Sequence, residues 1–529
     1  MEDQRLLVCR ARFVLPLAAP DRSLRIHDGY VLAQGELILE AGPYSAETGR
    51  RLLATWGDRL EVLHTRRELH PDMNEGGPLA RDARSPSPLV LPHGKTGRSP
   101  VIPSDDPIPM QDMVLLPAFV KAHGHDHEQP LIGIAKDEPL TDWLDHAVNP
   151  FTGFLNAQRA ELTARLGRTP QSATYRMARV ADIHYGITAS MVHHCNWNKF
   201  HLEDIAAANE AAGTTMIVAV GGQDRFYAPE LLDRPGDAVR RLDKALAIQA
   251  GCRRTVFVPG PDQCFSNSRE SLVPQKAWAR AHGTLFHIHS SEEPRTTKWF
   301  TETIEPGLTP VEYFQSIGIL DAGTVLAHQV NCGPRDVELI AASGAAVVHN
   351  PLANTILGSG MPPLMEMLRA GVPVAISTDG SGSADNQNIL AAARLASQYQ
   401  KALHQDATLL PSQQLLEMIT VAPSRILRLN QGELAPGRQA DWLLLDLARP
   451  NLVPTRLDNL TENLLWAADG SEVDTVVARG RLLKHDGAIL PFLDGTRPRD
   501  VMAQIQALSE WYAEYRRTAP EVRGTGAHS

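Results

Sequence analysis

The stretch LLPAFVKAHGHDHEQPL, residues 115–131, ends an apolar run with His123, His125 and His127 at alternating positions. Side chains repeat every two residues along an extended chain, so the three share one face only if the strand continues through them. A metal centre takes two of them, three or none, depending on where the strand stops. The register that starts from MVLLPAFV, residues 113–120, brings His123 and His125 to the strand end and leaves His127 in the loop beyond. The competing register, His125 with His127, needs a strand two residues longer.

Seven further runs behave like the first: GITASMVHH, TTMIVAVGG, RTVFVPGP, TLFHIHSS, TVLAHQV, AAVVHNP and PVAISTDG. Helical patterns such as DVELIAASG and PLMEMLRAG lie between several of them. Eight such βα units over roughly 300 residues predict a (β/α)8 barrel of the TIM type, an α/β fold, spanning residues 112–427. The polar chemistry falls at the C-terminal ends of the strands, where His123, His125, His193, His194, His289, His328, His349 and Asp379 stand. In a barrel those ends converge on one face, so histidines distant in sequence would meet in space. An isolated strand histidine is more often a satisfied core or surface residue than a ligand. A His-x-His pair, a His-x-x-Glu, a further His and a Thr-Asp-Gly, each ending an apolar strand, form a set that chance explains poorly.

Short β-like pieces frame this region. RLLVCRARFVLPL and GYVLAQGELILEAG come before it, and ADWLLLDLA and VDTVVARGRLLKHDG after it, each bounded by Gly, Pro or Asp. Residues 1–64 and 428–490 are therefore expected to build a small β-sandwich domain from both termini. Residues 65–111, rich in Pro, Gly, Ser, Arg and Asp, read as an insertion or mobile loop, and residues 491–529 as a C-terminal helical extension.

The bulk properties narrow the function classes. A 529-residue chain with 43% hydrophobic residues buries a sizeable core, and a formal charge of −10 speaks against a nucleic-acid-binding surface. Five scattered cysteines with no CxxC pair read as reduced thiols in a cytoplasmic protein, and they exclude a deaminase built on a Pro-Cys-x-x-Cys zinc site. No run approaches the ~18 apolar residues of a membrane span, and the arginine-interrupted N-terminus is a poor signal peptide.

LLPAFVKAHGH is similar to the Pro-Gly-Phe-Val-Asn-Ala-His-Thr-His signature of the amidohydrolase superfamily. HIHSSEE (287–293) resembles its His-x-Ala-Glu motif, TVLAHQV (324–330) its Leu-Ala-His strand, and GAAVVHNPLANTILGSG (344–360) its His-Asn-Pro-x-Ser-Asn motif. GVPVAISTDGSG and GELAPGRQADWLLLD complete the series, which resembles the mononuclear aminohydrolase branch of adenosine-derivative deaminases, guanine deaminase and triazine hydrolases. The resemblance implies one divalent ion, zinc or else iron, on His123, His125, His289 and Asp379, with Glu292 and His328 as acid–base groups. Such an ion lowers the pKa of a water to ~7, and a Glu three residues after His289 can carry its proton to a ring nitrogen or leaving amine. His328 can stabilise developing charge, and Asp379 can accept a hydrogen bond from the same water. The lysine that bridges two metals in binuclear relatives has no counterpart in TTMIVAVGGQDRF or RTVFVPGPDQC; Lys199 lies in a polar loop.

Substrate contacts are expected from His127, Gln129, Asp142, Trp143, His193, His194, Asn196, Gln223, His349 and Asn354, with Asp224 a weaker candidate and His287 a partner behind the ligands. An N-capping or solvated Asp142 and a packing Trp143 are the alternatives. Gly124, Ser377 and Ala353 depart from the family pattern without removing a ligand. The expected reaction is hydrolytic deamination of an amino-substituted purine, pterin, pyrimidine or triazine, by an enzyme that is a homodimer. Cleavage of a C–Cl, N-alkylamine or cyclic amide bond is the enzymatic alternative, and a catalytically silent scaffold the non-enzymatic one.

Overall fold

The computed structural model describes residues 6–65, 106, 108–194 and 196–518. Most of the 65–111 stretch, expected as an insertion, lies outside the described residues. Its last part is tied down: buried Arg10 donates to Asp106 Oδ2 at 2.7 Å and to the Ile108 carbonyl at 2.6 Å, and Asp106 also accepts from the Tyr44 hydroxyl.

Eight parallel strands alternate with helices in mixed α/β order. Phe119–Lys121, Ile187–His194, Thr215–Gly222 and Thr255–Pro261 pair in sequence as one four-stranded sheet; Phe286–Ser290, Thr324–His328, Ala346–His349 and Val374–Ile376 pair as another. The aliphatic, β-branched runs suit burial on both faces, and every residue of Ile187–His194 and Thr215–Gly222 is buried. The two sheets touch through a parallel bridge between Gln263 and His289. On the other flank Ser377 Oγ donates to the His123 carbonyl at 2.7 Å and accepts from the His123 amide at 3.2 Å. One apolar cluster takes side chains from both sheets, among them Val120, Met191, Ile217, Val258, Val325 and Ala375.

The connecting helices start where the sequence offers caps. Thr169 accepts from Ser172 with Pro170 at the first helical position of Pro170–His184, and Thr309 and Glu312 form a capping box on Pro310–Ser316. The last helix, Pro498–Thr518, packs on Pro170–His184 and places Tyr512 against Phe151 and Phe154.

Strands from both ends of the chain share a nine-stranded sheet. Here the structure corrects the reading of the opening stretch. Met113–Val120 is not one strand: Gln111–Pro117 pairs with Leu6–Val14 and Trp442–Asp446 in the terminal sheet, and only Phe119–Lys121 pairs with Ile187–His194. Pro117 has no N–H to continue a ladder, and the chain changes sheets there. The period of two then sorts the side chains: Met113 and Leu115 join Trp442 and Leu444 in one core, while Val114 and Leu116 join Leu443 and Leu445 in the core shared with the helices.

Candidate active site

His123 and His125 follow Phe119–Lys121 directly, His289 sits near the end of Phe286–Ser290, His328 ends Thr324–His328, and Asp379 lies just past Val374–Ile376. His328 and Asp379 both adopt left-handed backbone, with φ of 72° and 69°. Non-glycine residues there cost about 1–3 kcal/mol and persist where the surroundings hold them. In each case the turn swings the side chain off the strand toward its neighbours.

Asp379 Oδ1 lies 3.1 Å from His123 Nε2 and 3.4 Å from His125 Nε2, and His125 Nε2 lies 3.1 Å from His289 Nε2. His123 Nε2 and Asp379 Oδ1 are buried without a hydrogen-bond partner. A backbone carbonyl and a histidine stand behind two of the rings. His289 Nδ1 donates to the Asp262 carbonyl at 2.6 Å, which leaves its Nε2 lone pair facing the cluster. His123 Nδ1 meets His287 Nε2 at 3.1 Å. Burial keeps the His123, His125 and His287 imidazoles neutral, pushing His123 down to about 3 and His125 and His287 well below the usual histidine range. Imidazoles and one carboxylate, buried with His123 Nε2 and Asp379 Oδ1 unpartnered, fit a divalent cation.

Beside this cluster, Glu292 Oε2 stands 3.6 Å from His328 Nε2 and accepts from Gln263 Nε2 at 3.3 Å. Burial pushes the Glu292 carboxyl up to about 8, with His289 pulling the other way. Asn354 Oδ1 accepts from His328 Nδ1 at 2.9 Å and leaves Nε2 of the ring toward Glu292. Glu292 can therefore gain and lose a proton near neutral pH, and His328 offers a positioned imidazole next to it.

The cavity over these groups measures only about 30 Å³ and is walled by His127, Glu128, Trp143, Tyr227, Asp262 and Leu357, among others. That space holds a water or two, and Leu140, Trp143, Leu144 and Val148 supply an apolar part of its wall. Glu128 is buried and accepts from the Ser383 amide and hydroxyl, both at 3.0 Å. Gly380 is needed beside it, because a Cβ there would fall 1.9 Å from Glu128 Oε2.

The expected substrate contacts separate into three groups. His127 and Trp143 line the cavity, and Asn354 reaches it through His328. His193 packs its ring 4.4 Å from that of His289 and donates Nε2 to the Gly260 carbonyl at 2.9 Å, while Gln129 accepts from Ser381 Oγ at 2.6 Å. The others point elsewhere. Asp142 is exposed and pairs with Arg295 at 3.2 Å; His194 bonds Tyr175, Asn196 bonds Asn149, and Gln223 accepts from Lys199; His349 is buried behind His328. Lys199 also donates to Asp233 and the Leu231 carbonyl, away from the histidines. Asp262 and Gln263 escaped the sequence reading although they follow a strand end, the position that singled out the histidines. Tyr227, which donates to Asp262 from the loop after the preceding strand, carries no such signal.

Imidazoles and a carboxylate gathered at strand ends, with a carboxyl–imidazole pair beside them, are the features of a metal-dependent hydrolase. The chain belongs to the amidohydrolase family, whose pattern matches residues 114–483, and is a hydrolase of carbon–nitrogen bonds other than peptide bonds. It is 31% identical over 376 residues to a 5'-deoxyadenosine deaminase of Methanothermobacter thermautotrophicus, covering 71% of this chain and 83% of that one. It is equally 31% identical over 381 residues to a 5-methylthioadenosine/S-adenosylhomocysteine deaminase of Desulfovibrio desulfuricans, covering 72% and 81%. Among solved structures, a zinc-bound adenosine deaminase from Xanthomonas campestris superposes with a TM-score of 0.74 at 19% identity, covering 98% of this chain and 100% of that one. An atrazine chlorohydrolase mutant from Arthrobacter aurescens, complexed with zinc and atraton, gives 0.75 at 18% identity, covering 95% and 100%.

Proposed function

We propose that the protein is a mononuclear, metal-dependent aminohydrolase that releases ammonia from an amino-substituted N-heterocycle, with adenosine-type nucleosides the first class to test. The observation that carries this reading is the approach of Asp379 to His123 and His125, and of His125 to His289, beside the Glu292–His328 pair. The deaminase names of the relatives at 31% identity support the substrate class.

His123, His125, His289 and Asp379 would hold one ion, and imidazole with carboxylate suits zinc ahead of iron. A bound divalent ion supplies Lewis acidity, lowering the pKa of a water and polarising the carbon under attack. Glu292, held by burial near the protonation midpoint, takes a proton from water and delivers it to the ring nitrogen or the departing amine. His328, with Nδ1 donating to Asn354, keeps Nε2 as an acceptor that takes a hydrogen bond from the attacking water. Once protonated, it donates to the oxygen that gains charge as the tetrahedral carbon forms. Leu140, Trp143, Leu144 and Val148 give the cavity an apolar wall suited to a flat ring.

We read the two four-stranded sheets as halves of one (β/α)8 barrel over residues 118–427, its expected start at 112 moved past Pro117, supported by the apolar cluster they share and by the Ser377–His123 contact. The strands on either side, within 1–64 and 428–490, read as a composite β-sandwich domain to which Gln111–Pro117 is added, and residues 491–518 as the helical extension. The described cysteines Cys9, Cys252, Cys264 and Cys332 are free, in keeping with a reducing cytoplasm. A net charge of −10 favours a small-molecule substrate over nucleic acid, and no helix among the described residues is long and apolar enough to cross a membrane. Light scattering tests the homodimer that the reading includes.

The test of function is ammonia release by zinc-loaded protein over a panel of adenosine-type nucleosides, other amino-heterocycles and cyclic amides, compared by kcat/KM. Turnover of a nucleoside with ammonia in equal amount is expected. Hydrolysis of cyclic amides with no ammonia from any amino-heterocycle would refute the deaminase reading.

A further inference from the structure

Directly beneath the two ligand histidines lies a buried cluster of four charges. Lys121 Nζ is 3.2 Å from Asp126 Oδ1 and 2.9 Å from Asp182 Oδ1, and Arg179 pairs with Asp126 and, at 2.8 Å, with Asp182 Oδ2. All four side chains are at most 1% exposed. Two cations against two anions leave the group neutral. Lys121 has one more bond, which leaves the cluster: it donates to Gln387 Oε1 at 3.1 Å.

That bond decides which way the Gln387 amide faces. An ammonium is a donor only, so the oxygen of the amide must turn to Lys121. Thr378 Oγ1 donates to the same oxygen at 2.7 Å. The amide nitrogen is then aimed at the main chain of the site, donating to the Asp379 carbonyl at 3.1 Å and the Asn386 carbonyl at 3.3 Å. Asp379 is the residue with φ of 69° whose carboxylate meets His123 and His125. Its unfavoured backbone needs an anchor: Gln387 Nε2 donates to its carbonyl at 3.1 Å, and Thr378 Oγ1, whose shorter bond goes to Gln387, lies 3.3 Å from the same carbonyl.

Gly124 belongs to the same unit. A Cβ at 124 would stand 3.0 Å from the Asp379 carbonyl oxygen and 3.1 Å from both Cδ and Cε of Lys121. The lysine stem and the Asp379 carbonyl therefore occupy the space that a side chain between the two ligand histidines would fill. The glycine between them follows from the lysine two residues before His123.

We propose that Lys121 and Gln387 are positioning residues for the metal centre: the ammonium sets the Gln387 amide, and the amide holds the Asp379 backbone in the turn that aims its carboxylate. This rests on the reading of Asp379 as a metal ligand. Neither residue lines the cavity over the cluster, so their loss is expected to act on metal affinity and geometry, and on kcat with KM little changed.

The experiment titrates metal-free protein with Co(II) alone, following its visible absorption and its competition with a chelator. It compares the wild type with Gln387→Glu and Gln387→Met. Gln387→Glu keeps an oxygen for Lys121 and Thr378 but sets a second oxygen against the Asp379 carbonyl; Gln387→Met removes both bonds. Affinity is expected to fall 10–100-fold in each, with a shifted absorption band. Lys121→Met combined with Asp182→Asn, which keeps the buried charge balanced, should lose as much as Gln387→Met, and adding Gln387→Met to that pair should cost little more. Wild-type affinity and spectrum in both Gln387 variants would overturn the proposal, as would losses from Lys121 and Gln387 that simply multiply. If Gln387→Met fails to fold, Gln387→Glu decides alone. If the wild type binds no Co(II), the metal reading fails and this proposal falls with it; if the wild type binds one and the variants match it, only the positioning role is lost.

Discussion

Two polar clusters lie side by side in this protein, equally buried and oppositely finished. In one, Lys121, Asp126, Arg179 and Asp182 each have an opposite charge within 3.2 Å. In the other, His123, His125, His289 and Asp379 crowd together while His123 Nε2 and Asp379 Oδ1 find no hydrogen-bond partner. Proteins rarely bury polar atoms without partners, because each costs roughly 1–3 kcal/mol. The paired cluster balances its charges internally, although Arg179 Nε and Asp182 Oδ2 are left without a hydrogen-bond partner, and serves the fold. The open one sets a single carboxylate among imidazoles, an arrangement that a cation would complete.

Breaking each cluster should expose that difference. Arg179→Met leaves Asp126 and Asp182 sharing one lysine, and about 3–5 kcal/mol of stability is expected to go, read as a lower urea midpoint. Asp379→Asn, of the same size, should change the stability of the metal-free protein by about 1 kcal/mol or less while abolishing metal binding. A large loss of fold from Asp379→Asn would erase the distinction. Glu292→Gln should then separate binding from chemistry: metal content stays while kcat falls roughly 10²–10⁴-fold.

Metal should also stabilise only through the open cluster. At a concentration 100 times Kd, zinc is expected to add ~2.7 kcal/mol to the wild type, seen as a raised melting temperature, and nothing to Asp379→Asn. A pH series on metal-free protein gives a gentler test. The Glu292 carboxyl, raised by burial from 4.5 to about 8, binds a proton in the folded state that the unfolded chain has released. Its contribution to stability is full below pH ~4.5 and is lost as pH rises through about 8, so Glu292→Gln should flatten the decline in that window. The smallest effect belongs to Asp142, whose pair with Arg295 is exposed: Asp142→Ala should cost at most ~1 kcal/mol and leave metal content and kcat intact.

The open cluster was legible in the chain and the closed one was not, for a physical reason. The clustered histidines end apolar strands, and a break from aliphatic to imidazole at a strand terminus is visible in one dimension. Arg179 and Asp182 sit on the buried face of a long helix, Lys121 on a strand and Asp126 in a turn, and nothing in their spacing announces that they converge. The same limit explains the first strand. Its apolar pattern runs unbroken from Met113 to Val120, and only the missing N–H of Pro117 hints that two sheets divide it. His127 behaves as the shorter register implies, lying in the turn Asp126–Leu131 at the edge of the cavity. Asp142 shows the opposite failure: local motif placement suggested a contact, but its helix turns it to solvent.

Metal stoichiometry by elemental mass spectrometry tests the central claim most directly. Protein purified with zinc should carry one ion per chain, retained in Glu292→Gln and in His127→Ala and lost in His289→Ala and Asp379→Asn. Full zinc occupancy in His289→Ala and Asp379→Asn, or none in a folded wild type, would contradict it.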